Sequence, residues 1–335
     1  MAVIFSKHGG QNDEAWKVID TELSMVIQDT DTEKNKDDEL VKALFNVKSS
    51  KKFGEKQGSM TEFGNFAEVA EGDNAIQDDI QMGFSKLIEH SQFIKGFTCT
   101  REAKDDGNID MMKTAAANFV RSYKRSRAQF ASNCLTTEGT TFTYEGKTYD
   151  KTTGDGVALF AQNHPGKRTG VATQSNVFTN FFGNDATMLY RLANIGRNFK
   201  NQSGNVMGYD YDTIVIPGDA WRLEDLVKTI IHSHQRPGTN NNDINTQEGN
   251  WKLVIDHRWA ANAAAGEEPF ILISSEANKE LNGSMFFDRV PLDVANEVDI
   301  NSRNLKWSGY TRFSAGFYAW QPFILAGASA GTTLT

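Results

Sequence analysis

The feature that most constrains this chain is a single apolar stripe. Ile109, Met112, Ala116, Phe119, Tyr123, Phe130 and Cys134 recur at intervals of three or four, interrupted only at Arg127, which lines them along one face of an α-helix of about seven turns. Asp105, Asp106 and Asn108, just before it, suit an N-cap and the positive end of the helix dipole. At 1.5 Å per residue, about 27 residues span roughly 35–40 Å, so the fold must be laid out along this rod. Met112, Phe119, Tyr123 and Phe130 are expected to face its core. Arg121, Lys124 and Arg125 crowd the middle of the other side and are expected to be exposed. The two cysteines, Cys99 and Cys134, flank the helix. A disulfide needs Cα atoms within about 7 Å, so both are expected as free thiols.

Composition sets outer limits. With 335 residues, 39% hydrophobic and 23% charged, the chain can bury a sizeable core and is expected to be ordered over most of its length. A net charge of -8, from 43 acidic and 35 basic side chains, argues against a protein that grips nucleic acid over a broad surface. No apolar run approaches the roughly 18–20 residues that cross a bilayer. The opening Met1-Ala2-Val3-Ile4-Phe5-Ser6-Lys7 also lacks a basic leader. A soluble, cytoplasmic protein with no membrane partner is expected.

Around the long helix the text changes character several times. Residues 1–50 hold two short amphipathic helices, about 13–27 and 38–47, separated by the polar run 29–37. Each is marginal alone, so it either packs on its parent domain or is ordered by a neighbouring molecule. Residues 50–71 are polar, aromatic and punctuated by glycine, as an extended hairpin without its own core would be. Phe84, Leu87 and Ile88 have helical spacing within 80–90, and a strand is expected over 93–100. All six prolines lie at or after Pro165. There a strand at 213–216 is stopped by Pro217, and Asp219 is placed to cap a helix carrying Leu223, Leu226, Val227, Ile230 and Ile231, which Pro237-Gly238 ends. Further strands are expected at 252–256, 270–274 and within 310–324, where Phe313, Phe317, Tyr318 and Trp320 are aromatic strand formers.

Chemistry is sparse. Gly327-Ala328-Ser329-Ala330-Gly331 matches a nucleophile elbow as text, but the elbow needs a following helix and a downstream acid and histidine. Here a flexible tail is expected. His232 and His234, two apart on a helix, point away from each other, and no histidine has metal-ligand spacing. Asp210-Tyr211-Asp212 is expected as a solvated turn, and no phosphate-binding loop is present in the sequence. Asp155 and His164, nine residues apart, invite an acid–base pairing. The structural alternative places His164 in a turn before Pro165, bonded to the backbone of its loop. No catalytic residue, metal or cofactor is expected, and so no enzyme.

One ordered set of segments goes further. Thr100-Arg101-Glu102-Ala103-Lys104-Asp105-Asp106 leads into the long helix, and Asp155-Gly156-Val157-Ala158-Leu159-Phe160 precedes Asn163-His164-Pro165. Ile214-Val215-Ile216-Pro217 with its helix follows, then the loop from Pro237 to Asn245. In this order and spacing, over about residues 90–325, the chain resembles the major head proteins of Mu-like and related tailed bacteriophages, which share the Hong Kong 97-type capsid fold.

The resemblance implies an α+β subunit with residues 1–50 as an N-terminal arm and 51–92 as an extended loop and its return. Residues 93–150 and 296–335 would form a peripheral domain with the long helix as spine, and 151–295 an axial domain. It implies a major capsid protein that self-assembles as pentamers and hexamers into an icosahedral head around double-stranded DNA. Scaffold, portal and decoration proteins would be its partners, with assembly in the host cytoplasm. Because the sequence starts at Met1, a separate scaffold is expected. Met60, Phe63, Phe66 and Val69 in the extended loop become candidates for contacts between subunits, and Arg121, Lys124 and Arg125 either a solvated face or a contact to neighbours or genome. Some members crosslink a loop lysine to a neighbour's asparagine, for which Lys51, Lys52 and Lys56 lie near the right place. An encapsulin-type cellular compartment and a soluble α/β enzyme are the alternatives.

Overall fold

A computed structural model describes residues 3–5, 14–63, 66, 68–75, 77, 81–182, 187–236, 243–264 and 267–334. In chain order the first elements are β1 (Ile4–Phe5), α1 (Glu14–Thr32), α2 (Lys36–Leu44), β2 (Asn46–Ser49), β3 (Gly54–Met60), β4 (Met82–Glu89) and β5 (Ser91–Cys99). Next come α3 (Arg101–Asp105), α4 (Ile109–Thr136), β6 (Thr141–Tyr144), β7 (Lys147–Asp150), α5 (Thr187–Arg197), β8 (Thr213–Pro217) and α6 (Trp221–His232). The last are β9 (Lys252–Asp256), β10 (Phe270–Ile273), α7 (Ser275–Glu280), β11 (Ser284–Val298), β12 (Leu305–Phe317) and β13 (Phe323–Ala326). The chain forms two compact units, one of Met1–Glu55, Glu89–Ala131 and Phe286–Ala315, the other of Lys56–Ile88, Ser132–Met285 and Gly316–Thr335.

The first unit is organised by α4, the long helix. Met112, Ala116, Phe119 and Val120 share a buried cluster with Leu292, Val294, Leu305 and Trp307, residues of β11 and β12. These strands belong to a sheet ordered β1-β11-β12-β5, with β2 also on β11. Antiparallel pairing of β12 with β5 sets Trp307 opposite Phe97, their rings stacked at 5.9 Å. Gly309 lets β12 come close to α4: a Cβ there would lie 2.4 Å from Phe119 Cζ. Of the two arrangements open for residues 1–50, α1 shows packing within its own unit. Trp16, Ile19, Leu23 and Ile27, spaced three and four apart, enter the same cluster, each large side chain contributing about 1.5–3 kcal/mol by leaving water.

Lys124 corrects the expected exposed basic face. Its side chain is 2% exposed, and its ammonium donates to the carbonyls of Thr30, Asp31 and Glu33, with Asp38 at 3.5 Å. The end of α1 leaves carbonyls without helical partners, and a buried cation satisfies them together. Arg127, which interrupts the stripe, is also inward, donating to Asp38 at 3.1 Å and Asp288 at 2.7 Å. Arg121 and Arg125 are exposed.

The second unit is built on a sheet ordered β13-β10-β8-β9. Every residue of β8, β10 and β13 is buried, which is why, Thr213 apart, these strands are uninterrupted apolar text. β8 and β9 are parallel, and α6 makes the crossover between them, burying Leu223, Val227, Ile230 and Ile231. Asp219 does not cap α6. Its carboxylate instead accepts from the backbone N–H groups of Ala261 and Asn262, and Ala220 holds the cap position. The loop 237–242 lies outside the described residues.

Two further expectations are overturned. Residues 82–89 are a strand and not a helix. Phe84, Lys86 and Ile88 turn inward with period two, but Lys86, paired with Asp150 and 2.5 Å from Thr152 Oγ1, disguises that alternation as helical spacing. The glycine-rich tail is ordered: Thr332 bridges to Phe178, Ala328 N–H donates to the Phe178 carbonyl, and Leu334 N–H donates to Asn180 Oδ1. Both cysteines are free and buried.

Candidate functional site

β3 and β4 form a two-stranded hairpin of their own. Such a ribbon is at best marginal in water, so contacts at its ends decide its pose. At its root, Ser50 Oγ donates to Glu55 at 2.8 Å, His90 Nε2 lies 3.0 Å from Ser50 Oγ, and His90 Nδ1 lies 2.8 Å from Ser314 Oγ. Burial holds the His90 imidazole below its ordinary pKa, so it is neutral at pH 7. Further out, Tyr318 Oη donates to the Phe84 carbonyl at 2.7 Å. Thr61 N–H donates to Gln81 O, and Gln81 N–H to Thr61 Oγ1, both at 2.9 Å, which closes the ribbon.

Apart from Phe84 and Ile88, which turn inward, the large apolar side chains of the hairpin and its described loop residues have no cover. Met60 is 70% exposed, Phe63 64% and Phe66 108%, and Val69, Phe53, Met82 and Leu87 are exposed too. A run of such side chains on one element is what an interaction surface looks like before its partner arrives. The spine-helix residues Met112, Phe119 and Phe130 are buried and Tyr123 is half-buried, so they hold the scaffold and are not available to a partner.

The structure brings Asp155 and His164 together. Nδ1 of His164 is 2.8 Å from the Asp155 carboxylate, Nε2 is 3.3 Å from Asn176 Oδ1, and the ring stacks on Trp320 at 4.4 Å. Burial alone would raise the Asp155 carboxyl, but hydrogen bonds from His164 and Thr153, the His164 charge and the Val157 N–H hold it below its usual value. His164 is 0% exposed, so the pair pins a loop. The sequence offers both Asp155 and the loop backbone as partners for the His164 side chain, and it is Asp155 that its ring meets; Asn176 and Trp320 carry no signal in the sequence. Asp155→Ala is expected to lower the unfolding free energy by about 2–4 kcal/mol at pH 7. A carboxyl depressed in the folded state contributes stability above its unfolded pKa of about 4 that is lost as pH falls. The deficit measured by urea unfolding should therefore shrink below about pH 4.

Ser329 is exposed, and no helix follows it among the described residues. His234 bonds to Glu248 at 2.8 Å, and His232 is exposed. Among the described residues no three His, Cys, Asp or Glu side chains converge as metal ligands, and no helix is long and apolar enough to cross a membrane.

The family model for phage capsid proteins matches residues 84–324. The chain belongs to that family. No curated protein matches this capsid protein in sequence. Among solved structures it is similar to one from Mycobacterium phage Patience, with a TM-score of 0.55 and 10% identity over 99% of this chain and 95% of that one. The capsid of phage XM1, a myovirus, gives 0.51 and 14% identity over 85% and 90% of the two chains. The capsid of an empty GTA particle gives 0.52 and 10% over 85% and 88%. At such identities the likeness is one of fold, the α+β Hong Kong 97-type capsid fold. The role of this capsid protein is that of a structural subunit of a phage shell.

Proposed function

We propose that the chain is the major subunit of an icosahedral phage head, assembling as pentamers and hexamers around double-stranded DNA that it contacts without sequence specificity. The observation that carries this is the hairpin whose Met60, Phe63 and Phe66 stay exposed in the isolated subunit. A closed shell covers such surfaces with copies of the same chain, and symmetry leaves none over. In this reading residues 1–50 are the N-terminal arm, 51–92 the extended loop, 93–150 and 296–335 the peripheral domain with α4 as its spine, and 151–295 the axial domain. Scaffold, portal and decoration proteins are the further partners, assembly takes place in the host cytoplasm, and the chain catalyses nothing. The phage family and phage structures support a viral head over an encapsulin-type compartment, and membership of the Mu-like group rests on the ordered motifs.

Electron microscopy of the purified chain tests this. Closed particles are expected, and a Phe63→Ser/Phe66→Ser double variant should remain folded by circular dichroism while its particle yield falls at least about tenfold, as the loss of roughly 1.4 kcal/mol of contact energy would produce. Normal shells from the double variant would overturn the assignment of the interface.

A further inference from the structure

A turn of the second unit grips the hairpin near its tip. Asn201 Oδ1 accepts from the N–H groups of Ser203 at 3.0 Å and Asn205 at 2.9 Å, with Gly204 at φ +92, so the turn is built before it meets anything. Its donors then converge on the hairpin. Asn201 Nδ2 donates to the Glu62 carboxylate, Ser203 Oγ to the Glu62 carbonyl at 2.9 Å, and Asn205 Nδ2 to the Phe63 carbonyl at 3.2 Å. Gln202 Nε2 donates to Ser59 Oγ at 3.0 Å, and the Gln202 carbonyl is fixed by the N–H groups of Lys167 and Arg168. Gly83 leaves room for this closure: a Cβ there would lie 2.3 Å from Ser59 Oγ and 2.5 Å from Gln202 Oε1.

We infer that residues 201–205 are a clasp that sets the hairpin in its assembly-ready pose within the free subunit and stays closed when a second copy of this chain covers Met60, Phe63 and Phe66. The argument rests on which atoms are used. The clasp takes the hairpin's polar groups, the Ser59 hydroxyl, the Glu62 carboxylate and the carbonyls of Glu62 and Phe63, while the side chains of Met60 and Phe63 remain exposed. The two sets do not compete, so both contacts are satisfied at once. Ordering the hairpin beforehand removes part of the entropy that association would otherwise cost.

This inference rests on the shell reading, and the test separates the two. Ser203→Ala/Asn205→Ala removes two donors at a surface turn, and Gly83→Ala wedges the clasp open from the hairpin side. Both are made in the full chain and compared with the wild type by limited proteolysis of the unassembled protein and by the lowest concentration that gives closed particles. Cleavage at the hairpin tip is expected to accelerate roughly tenfold, and the concentration for closed particles to rise roughly tenfold, with particles of unchanged size. Faster cleavage with unchanged assembly would overturn the clasp's role, and so would unchanged cleavage. Easier assembly would mean that the turn parks the hairpin instead of presenting it. Absence of closed particles from the wild type would instead sink the shell reading beneath it.

Discussion

Arg127→Ala is expected to lower the unfolding free energy by about 3–5 kcal/mol at neutral pH, the usual consequence of removing one partner from a buried ion pair. Arg127 is the cation between Asp38 of α2 and Asp288 of β11, and its guanidinium lies 5.6 Å from the Tyr123 ring and 5.2 Å from that of Phe286. Asp288 is 3% exposed and would be left without its guanidinium partner. Burial raises the Asp288 carboxyl, with Arg127 opposing that rise. A carboxyl raised in the folded state adds stability below its unfolded pKa that is lost as pH rises through the folded one. Without Arg127 the rise is larger, so the variant's deficit should be greatest at neutral pH and smaller near pH 4, close to the unfolded pKa of about 4. Urea unfolding at both values measures it, and Arg127→Ala/Asp288→Asn should recover part of the loss. A deficit that is the same at both pH values would show that Asp288 is not the group left stranded.

Phe119→Asp is expected to leave no soluble folded subunit. Phe119 is 8% exposed, its ring is 5.2 Å from that of Phe97, and it lies over Gly309 of β12. Losing such a side chain costs about 3–5 kcal/mol, and an unpaired carboxylate in its place adds several more or must protonate. Together these reach the about 5–15 kcal/mol that holds a typical domain folded. Phe119→Leu, which keeps the contact apolar, should stay soluble with a loss of about 1–2 kcal/mol in thermal or urea unfolding. A soluble, cooperatively unfolding Phe119→Asp protein would show that this face of α4 is not the core.

Where one element's own residues carry the signal, the sequence was enough. The stripe on α4 and the face of α6 are local periodicities that need only one face buried, and the apolar runs of β8, β9 and β10 are equally local signals. The ordered motifs from Thr100 to Asn245 likewise carried the capsid family, and the exposed apolar residues of the hairpin were legible because no core could be built from them.

What depends on a distant partner was settled only in three dimensions. Lys124 is a basic residue among basic residues until the carbonyls at the end of α1 are brought to it from 91–94 residues away. Lys86 masks the alternation of β4 because its acid, Asp150, is 64 residues off. β11, 15 residues long, carries no comparable local pattern, since its burial comes from the sheet and helices around it. The clasp at Asn201–Asn205 is only a polar turn in the sequence. Its donors acquire a purpose when the fold carries Glu62 and Phe63 to them, because a hydrogen bond is specified by where two groups meet and not by either one.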